Sequence, residues 1–158
     1  MEALDMGRIR GFEVVKAEHR KNEGVEIQLP TRGSEDSAGY DFYAPHDVVI
    51  PANDKALIWT DVKAYMQDGE MLIALVRSSI GIKLGLMFAN TVGIIDADYY
   101  ENPSNDGNIG ICLRNLTDKD ISISKGERIA QGIFQSFLVA DNGNTKKERV
   151  GGIGSTGN

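Results

Sequence analysis

Apolar positions along this chain fall in short runs rich in Val, Ile, Phe and Tyr, separated by turn signals, and a helical period is scarce. Such runs read as strands, because β-branched and aromatic side chains suit a pleated, half-buried surface. The pattern predicts strands over Gly11–Ala17, Tyr40–Tyr43, Val48–Ile50, Lys55–Thr60, Met71–Val76, Asn90–Ile95, Ile109–Arg114, Ile121–Ile123 and Arg128–Leu138. Between them lie turn-forming clusters: Pro30–Gly33, Pro51–Asp54, Gln67–Gly69, Asn102–Gly107 and Ser124–Gly126. One short helix is predicted at Ser78–Leu84, with Ser78 or Ser79 as its N-cap. Many short strands and a single helical turn make an all-β fold, a jelly-roll-like barrel or sandwich. From about Ala140 to Asn158 the chain is polar and Gly-rich with no apolar period, which predicts a mobile C-terminal tail after a single β domain over 1–140.

Composition narrows the function classes. A length of 158 residues suits one domain, and 41% hydrophobic with 25% charged residues excludes wholesale disorder. No apolar run approaches the roughly 18–20 residues of a membrane span, and Met1–Asp5 is not expected to open a secretory signal. A lone Cys112 cannot make an internal disulfide, so a reducing, cytoplasmic location is expected. With 17 Lys+Arg against 23 Asp+Glu, a net charge of −6 argues against direct nucleic-acid binding. An anionic ligand would have to be held locally, by arginines, backbone N–H groups or a metal.

Five segments carry candidate chemistry, each with a plainer reading beside it. Ser37–Ala44 places Asp41 among apolar neighbours, where a buried carboxylate would need a partner or a metal; an edge-strand Asp facing water is the plainer alternative. Val76–Gly81 puts Arg77, Ser78 and Ser79 where a strand turns into a helix, a place suited to phosphate or simply to a serine cap. Asn90–Tyr100 ends an apolar strand with Asp96 and Asp98, able to take a proton from water or merely to make a turn. Gly126–Gln131 is a turn entering a strand, with Gln131 on the face of Ile129. The tail Gly151–Gly157 contains a G-x-G-x-x-G spacing, but no strand is predicted to lead into it and no following helix is expected. What remains is a strip of N–H donors with two hydroxyls, either an anion wrap or a plain Gly/Ser tail. His19, His46 and Cys112 lack zinc spacing, and no Cys–His or Ser–His pairing supports a covalent nucleophile. Asn115–Thr117 matches a glycosylation acceptor that a cytosolic chain would not use.

The order and spacing of Ala38–Ala44, Arg77–Ser79, Gly93–Tyr99, Gly126–Gln131 and Gly151–Gly157 resemble the five motifs of the homotrimeric dUTP pyrophosphatases, over about residue 25 to the end. The resemblance implies a β-clip jelly roll and a homotrimer whose active sites are each assembled from three subunits. It also implies Mg²⁺-assisted hydrolysis of dUTP to dUMP and pyrophosphate. In that likeness Asp96 is the general base and Gln131 a catalytic residue on the phosphate side. Arg77, Ser78 and the N–H of Ser79 clamp phosphate, Asn90 stands at the start of the uracil-binding hairpin, and Gly93 and Ile95 bind substrate. Tyr99 packs on deoxyribose and leaves no room for a 2′-hydroxyl. Asp41 holds Mg²⁺ through water. Residues 141–158 form a lid over a neighbouring subunit's site, with Arg149, Ile153, Gly154, Ser155 and Thr156 reaching the nucleotide.

Three departures modify that picture. Ile153 stands where many members carry a Phe that covers uracil, so either weaker base contact or help from another aromatic, such as Trp59, is expected. Glu148 takes the usual place of the tail arginine and Arg149 follows one residue later, a variant associated with phage-like members. Asn102–Gly107 reads as an insert, either decoration whose deletion spares hydrolysis or a docking surface for a protein partner. Two rival functions remain: a dCTP deaminase of the same fold, disfavoured because Cys112 occupies the position of its catalytic Glu, and a regulatory protein that uses the fold to bind a partner.

Overall fold

The computed structural model describes residues 7–143 and 148–153. Its strands are β1 (Gly11–Val14), β2 (Thr31–Arg32), β3 (Tyr40–Tyr43), β4 (Val48–Ile50), β5 (Lys55–Trp59), β6 (Val62–Tyr65), β7 (Glu70–Leu75), β8 (Leu86–Phe88), β9 (Gly93–Asp96), β10 (Gly110–Asn115), β11 (Ile121–Ile123) and β12 (Arg128–Ser136). Early strands pair with late ones in a nested series, β3 with β12, β4 with β11 and β5 with β10, all antiparallel. A chain doubled back on itself in this way rolls into a jelly roll, as the strand spacing predicts. The sheets run β2-β3-β12-β7-β9 and β5-β10-β8, with two-stranded ribbons β1-β6 and β11-β4. Among the described residues no helix is long and apolar enough to cross a membrane.

The alternating positions of these strands meet in one core. Phe42, Ile50, Ile58, Leu72, Leu86, Ile111, Leu113, Ile123 and Ile129 are fully buried, each contributing about 1.5–3 kcal/mol relative to exposure. Strands β3, β4 and β11 keep their sequence-predicted bounds, whereas β2, β6 and β8 are additional. Strand β6 escapes the pattern because Lys63, in its middle, is buried together with Val62 and Ala64. The strand expected from Asn90 begins only at Gly93, since Thr91 takes a left-handed conformation (φ 64°) and turns the chain. In β12 the register shifts between Arg128 and Ala130, so Ile129 and Ala130 both enter the core. That bulge breaks the simple alternation that would keep Gln131 and Ile129 on one face.

The helical turn forms where expected, as a wide π turn over Ser79–Lys83 that buries Ile80. The serine cap does not form: Ser78 has helical backbone angles and its side chain makes no capping bond. Instead the Arg77 carbonyl accepts from the N–H groups of Ile80 and Gly81, both at 3.0 Å.

Candidate active site

Strand β9 is the last strand of its sheet and pairs only with β7, so among the described residues one edge of its backbone has no strand partner. All four of its residues line a single cavity of about 510 Å³. Successive side chains of a strand point to opposite faces, so four consecutive lining residues mean that the strand presents its backbone edge to the cavity. Across from that edge lie Leu57, Phe88, Ile109, Gly110 and Cys112, and Asn90 stands at the turn leading in. Asp96, Tyr99, Arg149 and Ile153 complete the lining. The arrangement is a largely apolar slot with backbone donors and acceptors along one wall and carboxylates at its mouth.

At that mouth the Arg149 guanidinium bridges two acids, its Nη1 lying 2.9 Å from Asp96 Oδ2 and 3.1 Å from Asp98 Oδ1. Its Nε donates to the Gly151 carbonyl, and the guanidinium lies 5.0 Å from the centre of the Tyr99 ring. Burial works against the Arg149 charge, but the two carboxylates outweigh it and raise its pKa. Asp96 ends β9 and Asp98 sits in the 3₁₀ turn Ala97–Tyr99, which brings both carboxylates to one cation. Each keeps about half its side chain exposed, 51% and 58%, so water reaches the oxygen that Arg149 leaves free.

Tyr99 is buried and held at its hydroxyl from two sides. The Oη donates to the Asn108 carbonyl at 2.6 Å and accepts from Asn105 Nδ2 at 2.9 Å. Burial lifts its pKa, partly offset by Asn105 and Arg149, which keeps the phenol a donor at neutral pH. The 102–107 loop that supplies Asn105 is built into the domain: Asn102, Asp106 and Gly107 are buried. Asp106 accepts from Lys63 Nζ at 2.9 Å, both side chains being under 5% exposed, and from the Lys16 backbone N–H at 2.8 Å. Gly107 (φ 88°) brings the loop so close that a Cβ there would lie 2.9 Å from the Tyr99 carbonyl. The loop is therefore packed into the domain rather than standing off it. Its exposed part is Pro103–Ser104, and its Asn102 and Asn105 side chains bond to the carbonyl and hydroxyl of Tyr99.

A second cluster lies elsewhere on the five-stranded sheet. Arg77, Ser79, Lys83 and Arg128 line a concavity of about 430 Å³. Asp41 does not face water: it is 6% exposed, with Oδ1 2.9 Å from Arg77 Nε and Oδ2 3.5 Å from Arg128 Nη1. Gln131, opposite both Asp41 and Leu75, donates from Nε2 to the Val76 carbonyl at 3.3 Å. Gly39 makes room for it, since a Cβ there would lie 2.2 Å from Gln131 Oε1. Asp41 is in register with Leu75 and Asp96 with Met71, four residues apart along β7, while β3 and β9 stand three strands apart. At roughly 3.3 Å per residue and 4.8 Å per strand these offsets place Asp41 and Asp96 about 19 Å apart within one chain.

The structure thus groups Asp96, Tyr99, Asn90, Gly93, Ile95, Arg149 and Ile153 at the cavity and Arg77 and Ser79 at the cationic concavity; Asp41 pairs with Arg77 behind it, and Gln131 bonds to the Val76 carbonyl next to Arg77. Ser78 precedes the π turn and lines neither of these two hollows. Gly154, Ser155 and Thr156 lie outside the described residues. Trp59 does not cover the slot; it packs against Gly110, and the aromatic walls are Phe88 and Tyr99. Arg128, Asn105 and the Lys63–Asp106 pair were not legible as site residues. Only the Asn/Asp/Gly-rich composition of 102–108 marks that loop, and it signals a turn rather than its target. No group of three or more His, Cys, Asp or Glu among the described residues could hold a metal directly.

An apolar slot with a backbone edge for a planar heterocycle, acids at its mouth and a separate cationic hollow defines a nucleotide-processing β protein. The chain matches the dUTPase family over residues 25–157 and belongs to it. It is 50% identical over 152 residues to the deoxyuridine 5′-triphosphate nucleotidohydrolase of Lactococcus lactis subsp. lactis, covering 95% of this chain and 99% of that protein. The crystal structure of the Streptococcus mutans dUTPase superposes with a TM-score of 0.73 at 41% identity, over 84% of this chain and 99% of that one. A staphylococcal phage 80α dUTPase (G164S mutant with dUpNHpp) shares the fold at 24% identity, with a TM-score of 0.68 over 87% of this chain and 88% of that one.

Proposed function

We propose that the protein is a dUTP diphosphatase that hydrolyses dUTP to dUMP and pyrophosphate, keeping uracil out of DNA and supplying dUMP. The observation that carries this reading is the cavity at β9, where an open backbone edge, a buried Tyr99 and the exposed Asp96 carboxylate meet. The 2,4-dioxo edge of uracil alternates acceptor, donor, acceptor, which suits the alternating N–H and C=O groups of an unpaired strand edge. The Tyr99 ring, fixed at its hydroxyl, forms a wall against C2′ of the sugar, where a ribose hydroxyl would collide. At the mouth Asp96 accepts a proton from water, whose oxygen bonds to the α-phosphorus as the bond to the bridging oxygen breaks and pyrophosphate leaves. Arg149 neutralises Asp98 and orients Asp96 until phosphate oxygens compete for the guanidinium.

Arg77, the Ser79 N–H and Lys83 suit the triphosphate, with Gln131 alongside. These groups lie too far from Asp96 in one chain to act on the same phosphorus. We infer a homotrimer in which the cationic hollow of one subunit faces the slot of another and the 141–158 tail closes over it. In the single chain the described part of the tail rests on its own slot. Mg²⁺ fits this chemistry: Asp41 uses two of its roughly four lone-pair sites on arginines. That leaves it able to take up a water of an ion held mainly by the phosphates. Bound there, Mg²⁺ would neutralise charge on the leaving pyrophosphate. The same reading places Ser155 and Thr156 of the tail at the terminal phosphate.

A panel of dUTP, dTTP, dCTP and UTP, with and without Mg²⁺, tests the reaction. Pyrophosphate release confined to dUTP supports it, and ammonia from dCTP would favour a deaminase. Mixing Asp96→Asn with Arg77→Ala chains tests the assembly. Two inactive variants should recover about a quarter of wild-type turnover when random trimers form, because each mixed trimer rebuilds one intact site. No recovery after subunit exchange would place both groups in one chain's site.

A further inference from the structure

Resting on that reading of Tyr99, we infer that Asn105 is a positioning residue for sugar discrimination, and that the 102–107 loop exists to aim its amide at the Tyr99 hydroxyl. A phenol held at one point can swing about it, whereas one held at two points cannot. The first point, the Asn108 carbonyl, is rigid because the Asn108 side chain is locked to Asp61 by two bonds, Asn108 Nδ2 to Asp61 Oδ1 (2.8 Å) and Asp61 N–H to Asn108 Oδ1 (2.9 Å). Asn105 supplies the second point. Its amide has only one workable orientation. Oδ1 already accepts from Asn102 Nδ2 at 2.8 Å and from the Gly107 N–H at 3.0 Å, so Nδ2 must face Tyr99. Asn102 in turn is fixed by its Nδ2 bond to the Tyr99 carbonyl at 2.7 Å. The loop therefore grips the tyrosine at both its backbone and its ring.

The same amide meets the tail. A Cβ on Gly152 would lie 2.8 Å from Asn105 Nδ2, so the tail backbone is seated directly against the group that steadies the sugar wall. Because Asn105 touches Tyr99 and not the slot itself, its effect on substrate must pass through the ring. Loosening the ring should admit a 2′-hydroxyl more readily while leaving the base and the phosphate chemistry in place.

The test is the ratio of kcat/KM for dUTP to that for UTP, measured in Asn105→Asp, Asn105→Ala and Tyr99→Phe. Asn105→Asp keeps the acceptor that closes the loop and puts a carboxylate oxygen, which cannot donate, where the amide donor faced Tyr99. The two Asn105 variants should lower the ratio about three- to tenfold, the range one ordinary hydrogen bond converts to, and Tyr99→Phe, which loses both hydroxyl bonds, at least as much. The Asn105→Asp/Tyr99→Phe double variant should fall no further than Tyr99→Phe alone, since losing the hydroxyl already removes the bond that Asn105→Asp deletes. A merely structural role would lower turnover of both nucleotides together and leave the ratio unchanged. That result in well-folded Asn105→Asp, or an additive loss in the double variant, overturns the inference. Tyr99→Ala separates the two failures. If it leaves the ratio unaltered, the assignment of Tyr99 as the sugar wall is wrong; if it collapses the ratio while Asn105→Asp does not, only the role of Asn105 is wrong.

Discussion

Replacing Lys63 by Met should cost about 3 kcal/mol of stability, a large share of the 5–15 kcal/mol typical of a domain. Lys63 Nζ and Asp106 Oδ2 are 2.9 Å apart with side chains 4% and 3% exposed, so removing the ammonium strands a carboxylate that water cannot reach. Breaking a buried pair usually costs about 3–5 kcal/mol. The lower end applies here because the Lys16 N–H still donates to Asp106, and the Lys16 ammonium lies 3.8 Å from its other oxygen. In a chain of this size each kcal/mol moves Tm by about 2–4 °C, so a fall of about 6–12 °C is expected at fixed protein concentration. Met preserves the length of the stem along β6, which separates lost charge from lost packing. Adding Asp106→Asn should recover about 2 kcal/mol, because the stranded charge disappears with it. Thermal and urea unfolding of the two single variants and the double variant complete the cycle. A Lys63→Met loss below about 1 kcal/mol, or a double variant no better than the worse single, would refute the claim that this pair is a buried, mutually dependent one.

Asp96→Asn should keep dUTP binding by calorimetry while pyrophosphate release falls about 10²–10⁴-fold, the usual worth of a positioned base. Gly107→Ala forces a φ of 88° on a residue with a Cβ and drives that carbon against the Tyr99 carbonyl; the destabilisation should exceed about 1–2 kcal/mol in urea melts. Acid should unfold the protein through two carboxyls. Burial opposes ionisation of Asp106, but the Lys16 N–H and Lys63 outweigh it and lower its pKa. For Asp61 the Lys21 N–H and the groups of Asn22 and Asn108 do the same. Below about pH 4 the unfolded chain then binds more protons than the folded one, so their stabilisation is complete above that pH and is lost as pH falls through the lowered values. Asp106→Asn should flatten the acid limb of a stability–pH curve, and an unchanged limb would count against it.

Strands β3, β4 and β11 were readable because alternation and turn residues agree there. Strand β6 was not, since its central lysine is neutralised by an acid 43 positions later in the sequence, and no local pattern announces a distant partner. The same holds at the site. Asp96, Tyr99 and Arg77 stand in recognisable motifs, but the Asp41–Arg77 pair, the bridging of Asp96 and Asp98 by Arg149, and the Asn105 bond to Tyr99 are tertiary facts. The insert is the clearest case. Its composition marks a turn correctly, yet only the folded backbone reveals that the turn closes on the tyrosine.

The three-strand offset between β3 and β9 also bears on how the protein would behave when scarce. On the proposed trimer, a solitary polypeptide whose Asp96 lies about 19 Å from the Asp41–Arg77 pair has nothing to turn over, so output per molecule becomes a gauge of self-association. Dilution should silence the enzyme before it unfolds.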